Sequence, residues 1–429
     1  MIELSLPLLS LSVLTGIIIG IFAGLLPGVH VNNTSAILLG MSPALVTSGM
    51  AELYVAVIII ASTISQSFFD IIPAIFLGAP DDATTMAVMP GHRMLLDGKG
   101  IEAIRLSAMG SGLAIPISLL LLAPLAYFFM SYYGTLQKNM AAVLILISVF
   151  VLLSSKGRGP FPDIRDRLRQ VSWASIIFLT SGFLGITAFI LEPLISPLVN
   201  IGAPTMLLPL LSGLFGAPAL MMSLWSSSNI PRQADKMITL QGRDIVKGAL
   251  IGTASGALVS WFPGVSAGVA TTITGIFSGS RDDDSDKKHI VSISGVSTAG
   301  AIFSLVALFV IMRPRSGAVV AAQELLGGEI NFDTFILFLV IICAAGVTSY
   351  LLMLTAGSTF AGLFSRLDYS GLNRTVLVFL TTMCLLMTGT LGLMVFVIST
   401  LIGVASHIID VRKTCLMGVL LVPCILYFL

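Results

Sequence analysis

Gly16-Ile17-Ile18-Ile19-Gly20-Ile21-Phe22-Ala23-Gly24-Leu25-Leu26-Pro27-Gly28-Val29 has a second copy far down the chain, Gly252-Thr253-Ala254-Ser255-Gly256-Ala257-Leu258-Val259-Ser260-Trp261-Phe262-Pro263-Gly264-Val265. The two glycines, the Pro-Gly pair and the valine recur at identical internal spacing. Proline removes a backbone donor and glycine frees φ, so Pro-Gly closing an apolar helix breaks its hydrogen-bond ladder. Backbone broken at membrane depth is tolerated only where it lines a cavity or is buried in protein. A repeat of such a break constrains architecture and site together.

Each copy runs on into a short segment rich in small and hydroxyl-bearing residues, Val31–Gly40 and Ala267–Gly279, both expected to be too short to span a bilayer. A half-helix that starts inside a cavity aims its N-terminal N–H groups and positive dipole end at the occupant, which favours an anion. Asn32, Asn33, Thr34 and Ser35 in the first copy, and Ser266, Thr271, Thr272 and Thr274 in the second, are uncharged donors suited to oxyanion oxygens. The expected anion site therefore comprises Pro27, Gly28, Val29, His30, Asn32, Asn33 and Thr34 from one copy. From the other it draws Pro263, Gly264, Val265, Ser266, Gly268, Thr271 and Thr272. The competing reading is that each Pro-Gly is a packing kink, and the register of the two copies weighs against it.

The correspondence extends further. Pro80 is followed by Met94-Leu95-Leu96-Asp97-Gly98, and Pro314 by Glu324-Leu325-Leu326-Gly327-Gly328, at nearly the same displacement. The chain is expected to be one membrane domain made of two related halves, 1–230 and 231–429, inverted relative to each other. Between them lies a Gly- and Pro-dense stretch (Glu192-Pro193, Ser196-Pro197, Gly202-Ala203-Pro204, Pro209, Gly216-Ala217-Pro218), which reads as kinked or broken helix.

Composition agrees. Of 429 residues, 56% are hydrophobic and only 10% charged, against about 25% charged in soluble domains, and mean hydropathy is +1.02. Apolar runs such as Leu113–Met130, Ala174–Leu191, Thr334–Leu354 and Cys415–Leu429 recur from end to end. At about 20 helical residues per crossing they suggest roughly ten to twelve embedded elements, so the expected fold is all-α and polytopic. Leu4–Leu26 lacks the basic flank and cleavage site of a signal peptide and reads as a retained helix. The basic loops Lys156–Arg169 and Arg232–Lys247 are placed in the cytoplasm, with Ala174–Leu191 and Met206–Trp225 crossing between them. A net charge of +1 without a basic, aromatic-interleaved stripe excludes a nucleic-acid partner. Cys343, Cys384, Cys415 and Cys424 stand singly in apolar stretches and read as packing residues. No cofactor or metal is expected.

A few charged residues stand out. Asp70, in Gln66-Ser67-Phe68-Phe69-Asp70-Ile71-Ile72-Pro73, has apolar flanks, and an intramembrane acid is a functional candidate by default. It is expected to carry a coupling cation, H+ or Na+, although an acid at a water boundary is the plain alternative. Asp81, Asp82 and Thr84 read either as a helix N-cap or as further coupling-ion ligands. Arg313 and Arg315, in the matching place of the second half, are either interfacial anchors or a fork for a carboxylate or phosphate. Arg281–Lys288 lacks the glycine and glutamate of a calcium loop and reads as a solvated connector. His407, Asp410, Arg412 and Lys413 read as boundary punctuation. Gly264-Val265-Ser266-Ala267-Gly268 fits a nucleophile-elbow pattern, but His30 replaces Ser266 in the first copy and no triad context is present, so an intramembrane hydrolase is the remote reading.

Gly20 to Pro27-Gly28, Phe76-Leu77-Gly78-Ala79-Pro80-Asp81-Asp82-Ala83-Thr84-Thr85, Pro90-Gly91-His92 and Asp97-Gly98-Lys99-Gly100 together resemble the large membrane subunit of the tripartite tricarboxylate transporters. The similarity is clearest over 10–112 and 248–330. It implies a secondary transporter for carboxylates, with substrate near the paired Pro-Gly segments. It further implies a small membrane subunit and an extracytoplasmic binding protein as partners. The chain reads Pro27-Gly28-Val29-His30 and Pro263-Gly264-Val265-Ser266 where that family has Pro-Gly-x-Gly, and Ala79-Pro80-Asp81 where it tends to Pro-Gly. Pro263–Gly268 is also similar to the Pro-Gly-Val-Ser-Gly-Gly signature of bacterial polyprenyl-phosphate transporters, which makes a lipid phosphate the alternative substrate.

Overall fold

The computed structural model describes residues 5–26, 29, 31–47, 50–76, 84, 87–153, 164–199, 206–225, 233, 238–262, 265, 267–277, 284–328, 330–364 and 369–429. Over these the chain is all-helical, with no strand among the described residues. In order come α1 (Leu6–Leu25), α2 (Val31–Thr47), α3 (Glu52–Phe69), α4 (Ile71–Phe76), α5 (Val88–Leu96) and α6 (Gly100–Lys138). They are followed by α7 (Met140–Leu153), α8 (Ile164–Leu191), α9 (Leu207–Leu211), α10 (Ala217–Trp225), α11 (Gly242–Val259) and α12 (Ala267–Phe277). The chain closes with α13 (Ser285–Ile311), α14 (Gly317–Leu325), α15 (Phe332–Phe364), α16 (Tyr369–Ile409) and α17 (Gly418–Phe428). Seven helices are long and apolar enough to cross a membrane, and four shorter apolar ones accompany them. The protein is a multi-pass membrane protein.

Glycine spacing decides the packing. Lipid supplies no hydrophobic drive between helices, so association depends on close approach of small residues. A methyl added at Gly16, Gly20 or Gly24 of α1 would lie 2.6 Å from the Ile58 carbonyl, 2.4 Å from that of Ser62 and 3.1 Å from that of Gln66, one turn of α3 per rung. α11 repeats the ladder on α13: methyls at Gly248, Gly252 and Gly256 would meet the carbonyls of Lys288, Ser292 and Val296 at 3.3, 2.1 and 2.6 Å. At the next rung Ser260 Oγ reaches Gly300 O at 3.4 Å, in the place Gly24 takes against Gln66.

The short helices match as well. α5 ends with Lys99 N donating to Met94 O at 2.7 Å around Gly98, φ 72°. α14 ends with Gly328 N donating to Gln323 O at 2.9 Å around Gly327, φ 77°. Both are glycine-dependent left-handed stops.

The elements interlock across the sequence midpoint. α6 packs on α13, where a methyl at Gly110 would come 2.3 Å from Val291 O, and α15 packs on α3, where Ser349 Oγ meets Ser65 Oγ at 3.1 Å. α6 and α15 run antiparallel: Gly357 faces Ile104, Gly112 faces Tyr350 and Gly346 faces Ile115. One hydrophobic core gathers α3, α4, α6, α13 and α15, with Val55, Ile59, Phe68, Ile104, Phe303 and Phe338 fully buried. A second lies among α7, α8, α17 and the far part of α16. α16 bends at Gly389 (φ 68°), where Ser196 O would touch an added methyl at 2.3 Å and Leu386 O is released to accept from Leu198 N and Val199 N.

Of the two expected crossings between the basic loops, Ala174–Leu191 lies in the span-length α8, whereas Met206–Trp225 is split into α9 and α10 by a π-helical turn at Ser212–Gly216 and counts among the shorter apolar helices. None of the four cysteines forms a disulfide. α2 is longer than expected: its 17 residues continue through Pro43 instead of stopping near Gly40. Pro43 lies beyond the first turn and cannot donate to Leu39 O, but Ser42 Oγ donates to that carbonyl at 2.6 Å, and the helix as a whole packs on α3 and α14.

Candidate functional site

Both Pro-Gly pairs lie in breaks between helices. α1 stops at Leu25, Leu26 turns extended (φ −88°, ψ 110°), and α2 starts at Val31. α11 stops at Val259 and α12 starts at Ala267. Pro27, Gly28, His30, Pro263, Gly264 and Ser266 themselves lie outside the described residues, as do the side chains of Asn33 and Thr272.

What surrounds the first break is defined. Gln66 Nε2 donates to Val29 O at 2.8 Å, so α3 holds the released backbone. Gln66 is 3% exposed and its Oε1 makes no hydrogen bond. In the first turn of α2 the Thr34 hydroxyl is buried and has no hydrogen-bond partner, whereas Ser35 Oγ returns to Val31 O at 2.8 Å. Asn32 Oδ1 accepts from Gly317 N at 2.8 Å, which caps α14. Its amide oxygen is thereby committed to structure.

At the second break Thr271 Oγ1 donates to Gly268 O at 2.8 Å and Thr274 Oγ1 to Thr271 O at 2.7 Å. These hydroxyls bond their own helix instead of projecting donors into a cavity, and Val265 is half-buried between the two helices. A donor unmarked by the sequence reading stands beside them. Trp261 is fully buried, its ring stacked on Phe129 at 4.1 Å, and its Nε1–H has no partner. An indole N–H is a donor only, so each break carries one buried donor, Thr34 or Trp261, that an acceptor would satisfy.

Asp70 closes α3 beside the first break. It is 8% exposed, Ser297 Oγ of α13 lies 3.4 Å from its Oδ2, and Ser67 Oγ meets Thr298 Oγ1 at 3.2 Å. Asp81 and Asp82 lie outside the described residues, and Thr84 is buried, its carbonyl accepting from Ala87 N. Arg313 is exposed, as an interfacial anchor would be. Arg315 Nη2 donates to Tyr133 OH at 2.5 Å, while its Nε is buried without a partner. Burial lowers the Arg315 pKa below the usual arginine value and the Tyr133 hydroxyl partly restores it. The structure therefore brings Val29, Thr34, Gln66 and Asp70 together, and sets Arg315 beside the capped end of α14.

The model of the tripartite tricarboxylate transporter TctA family matches residues 11–418, a span that includes both breaks and the α3–α13 crossing. The chain belongs to that family. A TctA-family protein is the membrane subunit of a tripartite tricarboxylate transporter, a transport component working with other subunits. A protein of Methanocaldococcus jannaschii described only as uncharacterized is 26% identical over 427 residues, covering 98% of both chains. No solved structure matches. In this TctA-family chain Gln66 and Ser67 were findable from their helical spacing to Asp70. Ser297 and Thr298 were not, because only tertiary packing brings them there.

Proposed function

We propose that this TctA-family subunit is a permease that carries a small di- or tricarboxylate across the cell membrane, holding it between the two Pro-Gly breaks and coupling its passage to a cation at Asp70. The observation that carries the reading is the matched seating of the breaks: each follows a glycine ladder that docks its helix on a partner, α1 on α3 and α11 on α13, rung for rung. Packing kinks need not coincide in this way. The buried, unsatisfied Thr34 and Trp261 donors next to the breaks support an anionic occupant, since an unpaired buried donor costs about 1–3 kcal/mol.

The matched ladders and glycine stops support two repeated halves, 1–230 and 231–429. The antiparallel α6–α15 pairing supports their inversion, because a two-fold that relates antiparallel helices lies in the membrane plane. Transport then proceeds by alternating access around a fixed pair of breaks. A small membrane subunit and an extracytoplasmic binding protein complete the assembly and deliver the carboxylate.

Ligand-induced thermal stabilisation of the purified protein tests this, because selective binding to the native state at 100 times Kd stabilises by about 2.7 kcal/mol. Citrate or succinate is expected to stabilise, and Gly28→Leu and Gly264→Leu to abolish the effect. Stabilisation by polyprenyl phosphate alone would replace the carboxylate with the lipid-phosphate reading.

A further inference from the structure

We infer that the crossing of α3 and α13 forms a sodium site whose ligands are the Asp70 carboxylate, Gln66 Oε1 and the hydroxyls of Ser67, Ser297 and Thr298. This deepens the coupling reading above and rests on it. Gln66, Ser67 and Asp70 fall on one face of α3 by their spacing, and Ser297 and Thr298 are consecutive on α13. The two sets meet: Ser297 Oγ is 3.4 Å from Asp70 Oδ2 and Ser67 Oγ is 3.2 Å from Thr298 Oγ1. Gln66, Ser67, Asp70 and Thr298 are at most 8% exposed.

Three arguments point to a metal cation. The Gln66 side chain is anchored through its nitrogen to Val29 O, which leaves Oε1 buried, fixed in orientation and without a hydrogen-bond partner. An acceptor with no donor is what a cation ligand requires. The donor set is all oxygen, the preference of hard cations, with neither thiol nor imidazole. It holds a single carboxylate, which suits a monovalent ion, since protein sites for calcium draw on several carboxylates. The Ser67 hydroxyl donates to Ile64 O at 2.8 Å, which leaves its lone pairs for a ligand, and a proton carrier at the carboxylate alone would leave Gln66 Oε1 without a partner.

The second half does not repeat the site. The ladder matches Gln66 with Gly300, each facing the last rung before its break. Counting on from there sets Ala301 against Ser67 and Ser304 against Asp70. Among the described residues the matching positions of the second half therefore do not rebuild the site. Because Gln66 also grips Val29 at the first break, sodium binding and the geometry of the anion-facing backbone are joined by a single side chain.

The test is thermal unfolding of the purified full chain in sodium, potassium or choline chloride at equal ionic strength and pH, without carboxylate. A sodium-selective rise in melting temperature, lost in Asp70→Asn and shifted to about tenfold higher sodium in both Ser297→Ala and Thr298→Val, is expected. The two hydroxyl variants keep the test informative if Asp70→Asn fails to fold. Equal melting in sodium and potassium, or a sodium effect unchanged in all three variants, overturns the site. A melting temperature that follows pH through Asp70 without any sodium effect also overturns it, in favour of a proton. Citrate stabilisation in sodium-free solution is read separately, so the permease reading and the sodium site fail independently.

Discussion

Gly252→Ala is the sharpest test of the packing. The new methyl would sit 2.1 Å from the Ser292 carbonyl oxygen, 2.9 Å from its carbon and 3.0 Å from Ser292 Cα. All three are backbone atoms inside α13, so no side chain can swing aside, and α11 must withdraw by about 1 Å along the ladder, an overpacking that costs about 1–3 kcal/mol. Alanine returns about 0.8–1.0 kcal/mol of helix propensity, which against the upper part of that range, about 2–3 kcal/mol where only backbone can give way, leaves a net loss of about 1–2 kcal/mol. Gly134→Ala in α6 is the control, since nothing lies within 4 Å of its added methyl and only the propensity gain remains. Reversible unfolding in mixed micelles, followed by circular dichroism, should move in opposite directions for the two variants. Gly16→Ala, at 2.6 Å from the Ile58 carbonyl, should behave as Gly252→Ala does. If Gly252→Ala gains as much stability as Gly134→Ala, the ladder does not seat the helices and the matched breaks lose their support.

Glu102 is 3% exposed and accepts from Thr239 N at 3.0 Å and Thr239 Oγ1 at 2.9 Å, with Lys287 Nζ at 3.4 Å. Glu102→Leu should cost about 3 kcal/mol by stranding Lys287, the lower end because Asp284 still pairs with it at 2.9 Å, and Lys287→Met added to it should recover most of the loss in the same unfolding assay. Asn32→Ala removes the acceptor that caps α14 and should lower stability by about 1 kcal/mol without changing the ligand preference in thermal-shift titrations. Trp261→Phe keeps a ring on Phe129 and removes the unpartnered N–H together with the second ring, so citrate affinity should fall about tenfold, while relief of the unpaired donor and the cavity left behind offset each other in melting temperature. An unchanged affinity would remove Trp261 from the site.

The fold was legible because its signals are local. Apolar runs set the helices, and Pro-Gly set the breaks before Val31 and Ala267, where proline and glycine interrupt a ladder that lipid cannot replace. The extent of α2 was not legible, because Pro43 normally stops a helix, and the Ser42 hydroxyl on Leu39 O together with packing against α3 and α14 accompanies its passage. Asp70 announced itself by the cost of an acid among apolar neighbours, but its partners come from α13, far away in sequence. Asn32 looked like a substrate donor by composition, yet its oxygen caps α14, a task visible only once the two helices meet. Thr271 and Thr274 bond the preceding turn of their own helix, a use of the hydroxyl that composition does not reveal.

The interlocking also limits how the subunit can move. Alternating access is often pictured as two halves rocking apart, but here α6 of the first half lies against α13 of the second with Gly110 on the Val291 carbonyl, and α15 lies against α3 through Ser349 and Ser65. The Glu102–Lys287 pair and the Arg93–Asp286 pair at 2.5 Å join the halves again at the start of α13. Separating them would strand a buried charge and open contacts made at backbone distance, about 3–5 kcal/mol for the buried pair alone. The lighter junctions are elsewhere, where α12 touches the 413–417 turn and where α6 continues into α7. Motion should therefore carry α3, α6, α13 and α15 as one unit past α7, α8 and α17. Cysteines at Gly112 and Tyr350, which face each other between α6 and α15, joined by a short thiol cross-linker, should leave citrate uptake in vesicles intact. Uptake that stops on cross-linking and returns on release would show that the halves themselves must part.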